Sequence, residues 1–281
     1  MNDRPAPIAI GGLGGSGTRV VASSLRATGY FMGKDLNGAE DNLWFTLLFK
    51  RPEILRLPQE ELREWMRIFT DRLQGTLVID GDLERRVLTL ANTPRPQHSA
   101  GWLNARADTF LSGVGQSWAR PWGWKEPNTH LLAGPFLEAL PDLRYVHVTR
   151  NGLDMAYADN QKQAQLWGPI LLGDPYEASP RYHLRYWRHA TQAALELARR
   201  FDGRVLLVNY DRLCSDPRNG IESLFRFTGL EQVESQDLEM VVESISPPAS
   251  AGRWRAQNID DLDDCDVEFA LSLDSARNQS P

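Results

Sequence analysis

The chain has 281 residues, 42% of them hydrophobic, and a formal net charge of −6 at pH 7. This length is enough for one large domain or two small ones with a substantial core. The acidic balance argues against a general nucleic-acid binder, because a surface that binds phosphates non-specifically needs an excess of Lys and Arg. Any anion-binding site must therefore be local.

Two further observations concern the cellular compartment. No apolar run approaches the roughly 20 residues that span a bilayer, and Met1 to Pro5 lack the pattern of a signal peptide. The two cysteines, Cys214 and Cys265, form neither a disulfide framework nor a metal-ligand cluster. We therefore expect a cytoplasmic protein without a membrane span and without a metal site.

Short β-rich runs alternate along the chain with stretches of helical periodicity. The predicted strands are Ile8–Gly12, Thr76–Asp80, Trp122–Trp124, Tyr145–Thr149 and Val205–Tyr210. The predicted helices are Thr18–Thr28, Glu60–Leu73, His130–Leu140, Leu153–Leu166 and Arg181–Phe201. Such alternation is typical of parallel βαβ units covered by helices on both faces. We expect a single domain over residues 1–281, built as a three-layer α/β/α sandwich on a parallel sheet of about five strands.

Two segments fall outside this rhythm. Residues 34–120 are rich in Trp, Phe and Arg, and we interpret them as a mostly helical insert over the sheet edge, on the side where an α/β enzyme selects its substrate. Four of its tryptophans are candidates for stacking on an acceptor, namely Trp44, Trp65, Trp102 and Trp118. Residues 255–281 form an acidic C-terminal segment, and we interpret its acidic run Asp260–Asp266 as a solvated face.

The first chemical signal is the glycine-rich stretch from Gly11 to Arg19, between a predicted strand and a predicted helix. Glycines let backbone N–H groups converge on an anion, and the helix N-terminus adds a favourable dipole. Read from Gly12, the stretch fits the dinucleotide pattern G-x-G-x-x-G, which needs an acidic residue about 20 positions later; Asp35 lies near that distance. It also fits a P-loop frame with Thr18 where Lys is usual. The loop alone leaves the anion open.

Further cations stand at the ends of later strands. Arg150 ends the run Leu143–Thr149 and precedes a helix, where a guanidinium grips a phosphate bidentately. Lys125 ends the strand before Pro127, and His130 follows at the start of a predicted helix. Because the carboxyl ends of parallel strands meet at one edge, all three can share one cleft.

Two more segments complete the pattern. The predicted strand that starts at Val205 runs into the turn Tyr-Asp-Arg-Leu-Cys-Ser-Asp-Pro, which begins at Tyr210, and Ser-Ala-Gly-Arg-Trp begins at Ser250. Together with Ser16-Gly17-Thr18, Lys125 to His130 and Arg150-Asn-Gly-Leu-Asp154, they make five sequence motifs that follow one another along the chain. Together they resemble the PAPS-dependent sulfotransferase family, as found in bacteria, whose fold is similar to that of P-loop NTPases.

The resemblance implies transfer of a sulfuryl group from PAPS to a hydroxyl or amine, with PAP as product and no metal. It implies catalytic roles for Lys125, as the cation at the transferring group, and for His130, as the base. The residues implied in PAPS binding are Gly14, Gly15, Ser16, Gly17, Thr18, Arg19, Arg150, Tyr210, Gly252 and Arg253. The implied acceptor is a small molecule or carbohydrate, and a homodimer is the candidate assembly.

Two departures from the family pattern keep alternatives open. Gly15 stands where many members carry Lys or Arg, and Ala158 stands where a Ser is frequent, which removes one hydrogen bond of about 0.5–1.5 kcal/mol. A non-catalytic nucleotide-binding relative and an NAD(P)-dependent Rossmann-type oxidoreductase using Asp35 are the alternatives. The acceptor itself is not identified by the sequence.

Overall fold

A parallel four-stranded sheet organises the computed structural model, which describes residues 5–112, 121–230 and 233–275. Its strands are β1 Ile8–Gly12, β2 Gly123–Lys125, β3 Arg144–Thr149 and β4 Val205–Asn209. Their order in the sheet is β2-β1-β3-β4, and every pairing is parallel. Ile10 lies opposite Lys125 on one side and Val146 on the other, and Thr149 lies opposite Asn209. The carboxyl ends of all four strands therefore meet at one edge.

Helices cover both faces of this sheet and form the insert. They are α1 Thr18–Ala27, α2 Leu43–Phe49, α3 Gln59–Gln74, α4 Gly81–Asn92, α5 Ala100–Leu111, α6 Ala133–Ala139, α7 Gly152–Ala156, α8 Lys162–Leu171, α9 Pro180–Arg200, α10 Tyr210–Ser215, α11 Pro217–Thr228, α12 Ser235–Glu243 and α13 Asp264–Ser275. Three short 3₁₀ helices lie at Pro52–Arg56, Pro127–Leu131 and Arg253–Ala256. Four of the α-helices, α2 to α5, fall within residues 34–112.

Alternating side chains of the strands feed two separate cores, as the period of a strand requires. On one face Ile8, Ile10 and Val146 pack with side chains of α1 and α11. On the other face Ala9 and Tyr145 pack with α9 and with the aromatic residues of the insert. The three-layer α/β/α sandwich predicted from the sequence is therefore confirmed.

The number of strands was predicted too high, because Thr76–Asp80 is not a strand. These residues link α3, which is capped by Gly75 with a φ of 75°, to α4. The Asp80 carboxylate accepts a hydrogen bond from Leu83 N at 2.8 Å and so begins α4. Val78 is 81% exposed. The segment has a high β propensity, but it has no neighbouring strand to pair with among the described residues and buries little surface, so it does not form a strand.

The helix predicted over Leu153–Leu166 is two helices, α7 and α8, separated by residues 157–161. The Gln161 side chain donates to the carbonyls of Met155 and Ala158, both at 2.8 Å. These bonds satisfy carbonyls that would otherwise require the helix to continue. The break turns α8 back towards the glycine loop and brings Gln163 against it.

Candidate nucleotide-binding site

The glycine loop leaves β1 and enters α1 through two left-handed glycines. Gly15 has a φ of 93° and Gly17 a φ of 94°, a region that is costly for residues with a Cβ. A Cβ on Gly17 would lie 2.3 Å from Cδ2 of Tyr210, whereas the space around Gly15 is open. Tyr210 is thus the wall that excludes a side chain at Gly17, and it lies against the loop from the end of β4.

The three residues around the start of α1 differ in their surroundings. Ser16 is 1% exposed, and its Oγ has no hydrogen-bond partner among the described residues. Thr18 is buried at the first position of α1, and Arg19 is exposed beside it. A buried hydroxyl without a partner is costly in a folded protein. Ser16 Oγ therefore has a free hydrogen-bonding capacity at the N-terminus of α1, where a bound anion oxygen would satisfy it.

Arg150 follows β3 and joins the glycine loop to the segment after α12. Its guanidinium donates to Ser250 Oγ at 3.0 Å and to Gly15 O at 3.5 Å. Two carboxylates lie 3.7 Å from it, those of Asp154 and Asp211. Arg150 is only 4% exposed, and its buried Nε has no hydrogen-bond partner in the described part of the chain. A phosphate-binding role for Arg150 and an ion pair with Asp154 are thus both compatible with this position.

Asp154 fixes the segment that carries Gly252 and Arg253. Its carboxylate accepts from Gly252 N at 2.7 Å and from Trp254 N at 3.2 Å. Gly252 has a φ of 75° and begins the 3₁₀ helix Arg253–Ala256. The Arg253 guanidinium donates to Ser250 O at 3.2 Å and to Tyr157 O at 3.4 Å. This anchoring role of Asp154 was not predicted from the sequence.

A cavity of about 520 Å³ opens beside these residues, at the carboxyl ends of β3 and β4. It is lined by Asn151, Asp154, Asn209, Asp211, Arg212, Ser215, Ala251, Gly252, Trp254 and Arg255. A second cavity of about 670 Å³ lies on the surface of the insert along α4, and none of the predicted site residues lines it. The smaller cavity is therefore the one that adjoins the candidate site residues.

Lys125 ends β2 next to the glycine strand, but its ammonium is bound within the protein. The Nζ atom donates to Asp41 Oδ1 at 2.5 Å and to Ala39 O at 2.8 Å. Lys125 is 2% exposed, and both of these partners belong to the insert. The sequence offered no packing reason for a lysine here, and the structure supplies one in the form of Asp41.

His130 lies in the 3₁₀ helix Pro127–Leu131 with a defined tautomer. Its Nδ1 is 2.9 Å from Pro127 O, and because a carbonyl only accepts, Nδ1 carries the proton. Nε2 is then an acceptor, with Tyr186 Oη at 3.5 Å. Burial lowers the pKa of His130 to about 4, which keeps the imidazole neutral at pH 7. His147 lies nearby, its pKa lowered by burial to about 3, and it bonds to Tyr145 Oη at 2.8 Å.

One hydrogen-bonded side chain on the glycine loop itself was not predicted from the sequence. Gln163, on α8, accepts a 2.5 Å hydrogen bond from Gly14 N through its Oε1 atom. Its Nε2 atom donates to Asn128 Oδ1 at 3.1 Å and to Gly12 O at 3.4 Å. Asn128 in turn donates to the buried carboxyl of Glu126, whose pKa is raised by burial. No sequence signal pointed to Gln163, because its place depends on the break between α7 and α8.

Asp35, required by the dinucleotide alternative, is bound inside the insert. Its carboxylate is 2.8 Å from Arg106 Nε and 2.5 Å from Thr109 Oγ1. The residues before it do not form a named strand; only Phe31 bridges to Trp122. Of the candidate tryptophans, Trp44 and Trp65 are buried, Trp102 is half-buried and stacks on His98 at 4.2 Å, and Trp118 lies outside the described residues.

The described residues present neither a metal cluster nor a membrane span. Within residues 5–112, 121–230 and 233–275, no group of three or more His, Cys, Asp or Glu side chains could hold a metal ion. Across the same residues, none of the helices combines the length and the apolar character that crossing a bilayer requires.

A glycine loop between a central parallel strand and a helix, with Arg at the end of the neighbouring strand, defines an α/β protein with a P-loop-like arrangement of strand, loop and helix. A family model described as Sulfotransferase family matches residues 7–235, which is more than half of the chain. The chain therefore belongs to the sulfotransferase family. No curated protein matches it.

Three solved structures are similar to the chain. The sulfotransferase domain from the curacin biosynthetic pathway has 14% identity and a TM-score of 0.52, with 96% of this chain and 98% of that chain covered. The sulfotransferase domain of the Synechococcus PCC 7002 olefin synthase has 18% identity and a TM-score of 0.47, covering 96% and 95%. Retinol dehydratase, in complex with androsterone and PAP, has 15% identity and a TM-score of 0.40, covering 99% and 82%. The first of these similarities shows a shared fold.

Proposed function

We propose that the chain transfers a sulfuryl group from PAPS to a hydroxyl or amine of a small-molecule or carbohydrate acceptor. The observation that carries this proposal is the meeting of the glycine loop, Arg150 and Ser250 at one edge of the sheet. Two buried polar atoms there, Ser16 Oγ and Arg150 Nε, have no hydrogen-bond partner in the described part of the chain. A ligand with two separated anionic groups matches these two positions.

The donor's two anionic ends would be held by different elements. The 5′-phosphosulfate would lie on the loop residues Gly15 to Thr18, with Gly14, whose amide donates to Gln163, at their edge and with the dipole of α1 and the exposed charge of Arg19 behind it. Arg150 would bind the 3′-phosphate, because its guanidinium offers several donors to a tetrahedral anion. Gly252 and Arg253 would border this group, since Asp154 fixes their segment beside Arg150. Tyr210 would contact the nucleotide from the wall of the loop.

In the transfer step, the acceptor oxygen forms a bond to sulfur while the bond from sulfur to the 5′-phosphate oxygen breaks, and PAP leaves with that electron pair. By analogy with phosphoryl transfer, the protein mainly positions the two reactants in line and balances charge on the leaving oxygen. His130 would take the acceptor proton at Nε2, the nitrogen that its tautomer leaves unprotonated. Lys125 would balance charge on the leaving group once its ammonium is released from Asp41.

A second candidate function is supported by two observations. Lys125 is neutralised by Asp41, and Gly15 leaves the loop without its own cation. A relative that binds PAP without transferring sulfate would have these features. The oxidoreductase alternative is not favoured, because Asp35 is held by Arg106 and Thr109 within the insert.

The first experiment is a thermal shift comparison of ligands. We expect PAP to raise the melting temperature more than ADP, ATP or NAD, because PAP alone carries the 3′-phosphate on a 5′-phosphorylated adenosine. An equal shift with ADP would contradict the assignment of Arg150. A second experiment follows ³⁵S transfer from labelled PAPS across phenols, sugars and amines. PAP binding without any transfer would favour the non-catalytic candidate.

A further inference from the structure

One glycine of the loop is covered by a side chain rather than open to a ligand. Gly14 has no unusual φ, so its conformation does not demand a glycine. A Cβ there would lie 3.3 Å from Gln163 Oε1 and 3.1 Å from Asn160 Nδ2, closer than such contacts ordinarily are. Gly14 therefore gives room for the close approach of two carboxamides, and Gln163 uses that room to accept the Gly14 N–H bond.

The orientation of the Gln163 carboxamide is fixed by its neighbours. Asn128 uses its Nδ2 to donate to Glu126 Oε1 at 2.8 Å, and Trp167 Nε1 donates to Asn128 Oδ1 at 2.7 Å. Asn128 Oδ1 is thus an acceptor, and the atom of Gln163 that faces it must be the donor Nε2. Oε1 then points at Gly14 N. This chain of bonds ties the glycine loop to the exit of β2 and to α8.

We propose that Gln163 is a positioning residue for the sulfate donor, one that holds the Gly14 end of the loop so that the phosphosulfate is received from Gly15 to Thr18. This inference rests on the proposed function. Because the Gly14 amide donates to the neutral Oε1 atom of Gln163, the anion site begins at Gly15. The Nε2 atom of Gln163 donates to Asn128 and so connects this boundary to the segment of Lys125, Glu126 and Asn128. The donor-binding loop and the residues after β2 are therefore held by one hydrogen-bond network.

The test uses the full chain and measures PAP binding by isothermal titration calorimetry. Gln163→Leu removes the acceptor and leaves the Gly14 amide unsatisfied, and we expect PAP to bind about tenfold more weakly. Gln163→Glu keeps an acceptor for Gly14 but adds a negative charge and loses the donor to Asn128. At pH 8 we expect Gln163→Glu to bind PAP about tenfold more weakly than Gln163→Leu does. Gln165→Glu, at an exposed position on the same helix, is the matched charge control and should bind as wild type does.

The pH profile separates positioning from simple packing. In the Gln163→Glu variant, a protonated carboxyl group can donate to Asn128 and accept from Gly14 as the glutamine does, so its PAP affinity relative to wild type should recover as pH falls from about 8 towards 5. A loss of melting temperature with unchanged PAP affinity would overturn the inference, since Gln163 would then only pack. Tighter PAP binding by Gln163→Leu would overturn it as well, because Gln163 would then compete with the donor. Failure of wild type to bind PAP would instead remove the proposed function itself.

Discussion

The role of Arg150 can be isolated by removing its charge and, separately, the group that it should bind. Arg150→Met keeps most of the side-chain volume and deletes the guanidinium, and because the residue is only 4% exposed, that charge is little screened by solvent. A hydrogen bond to a charged group contributes about 1.5–3 kcal/mol. We therefore expect PAP to bind about 10- to 150-fold more weakly to the variant. Asp154 and Asp211 keep their backbone N–H donors, from Gly252 and Asn151, so the fold should survive.

The assay is calorimetry with PAP and with adenosine 5′-monophosphate, which lacks the 3′-phosphate. In wild type, PAP should bind more tightly than the monophosphate, and in Arg150→Met the two should bind alike. This non-additivity is the signature of a direct contact between the deleted groups. Arg85→Ala, on the exposed face of α4, serves as the control for loss of one positive charge. If Arg150→Met weakened both ligands equally, Arg150 would support the site generally and would not bind the 3′-phosphate.

Three further predictions address the loop, the buried ion pair and a titrating group. Gly17→Ala should lower the free energy of unfolding by about 2–4 kcal/mol in urea titrations, because a left-handed residue gains a Cβ against the Tyr210 ring; a loss below about 1 kcal/mol would contradict this. Asp41→Asn should strengthen PAP binding about fivefold, because it removes the counter-charge of Lys125. The control Asp82→Asn, at an exposed position, should leave PAP affinity unchanged. If Asp41→Asn and wild type bound PAP equally well, the ion pair would lie outside the donor's reach. The folded-state pKa of His130 is below its unfolded value, so protonation favours unfolding and stability should fall as pH drops from about 6.5 to 4. His130→Gln should flatten that part of the profile, and an unchanged slope would refute the shift.

The sheet and the strand-end residues could be predicted from the sequence because each depends on local patterns. Arg150 follows an apolar run that could only be a buried strand, and the parallel arrangement brings every strand end to one edge. The same reasoning failed at Thr76–Asp80, where β propensity was real but no neighbouring strand was available. Strand pairing depends on the rest of the chain, so it cannot be predicted from the five residues of the segment alone.

The partners of the site residues were beyond such reasoning, because they come from distant segments. Asp41, which binds Lys125, lies 84 positions away in the insert, and Gln163 lies 149 positions from Gly14. A glycine pattern in the sequence also does not show why each position requires glycine. Gly17 is explained by its positive φ and the Tyr210 ring, whereas Gly14 is explained by the approach of Gln163.

These partners change how donor binding should be understood energetically. The Lys125 ammonium is bound to Asp41, the Gly14 amide to Gln163, and the Arg150 guanidinium to Ser250 with two carboxylates at 3.7 Å. In a chain of net charge −6, such internal partners supply part of the interactions of buried cations and amides without a ligand, and Arg150 Nε is left without a hydrogen-bond partner in the described part of the chain. At Lys125, donor binding is therefore an exchange of acceptors, and its affinity depends on the difference between the ligand's oxygens and the carboxylate of Asp41. Gln163 is not exchanged, because it holds the Gly14 amide at the edge of the anion site. Removing Asp41 should therefore strengthen binding while removing Gln163 should weaken it, and opposite signs from these two sites distinguish a competing counter-ion from a positioning contact.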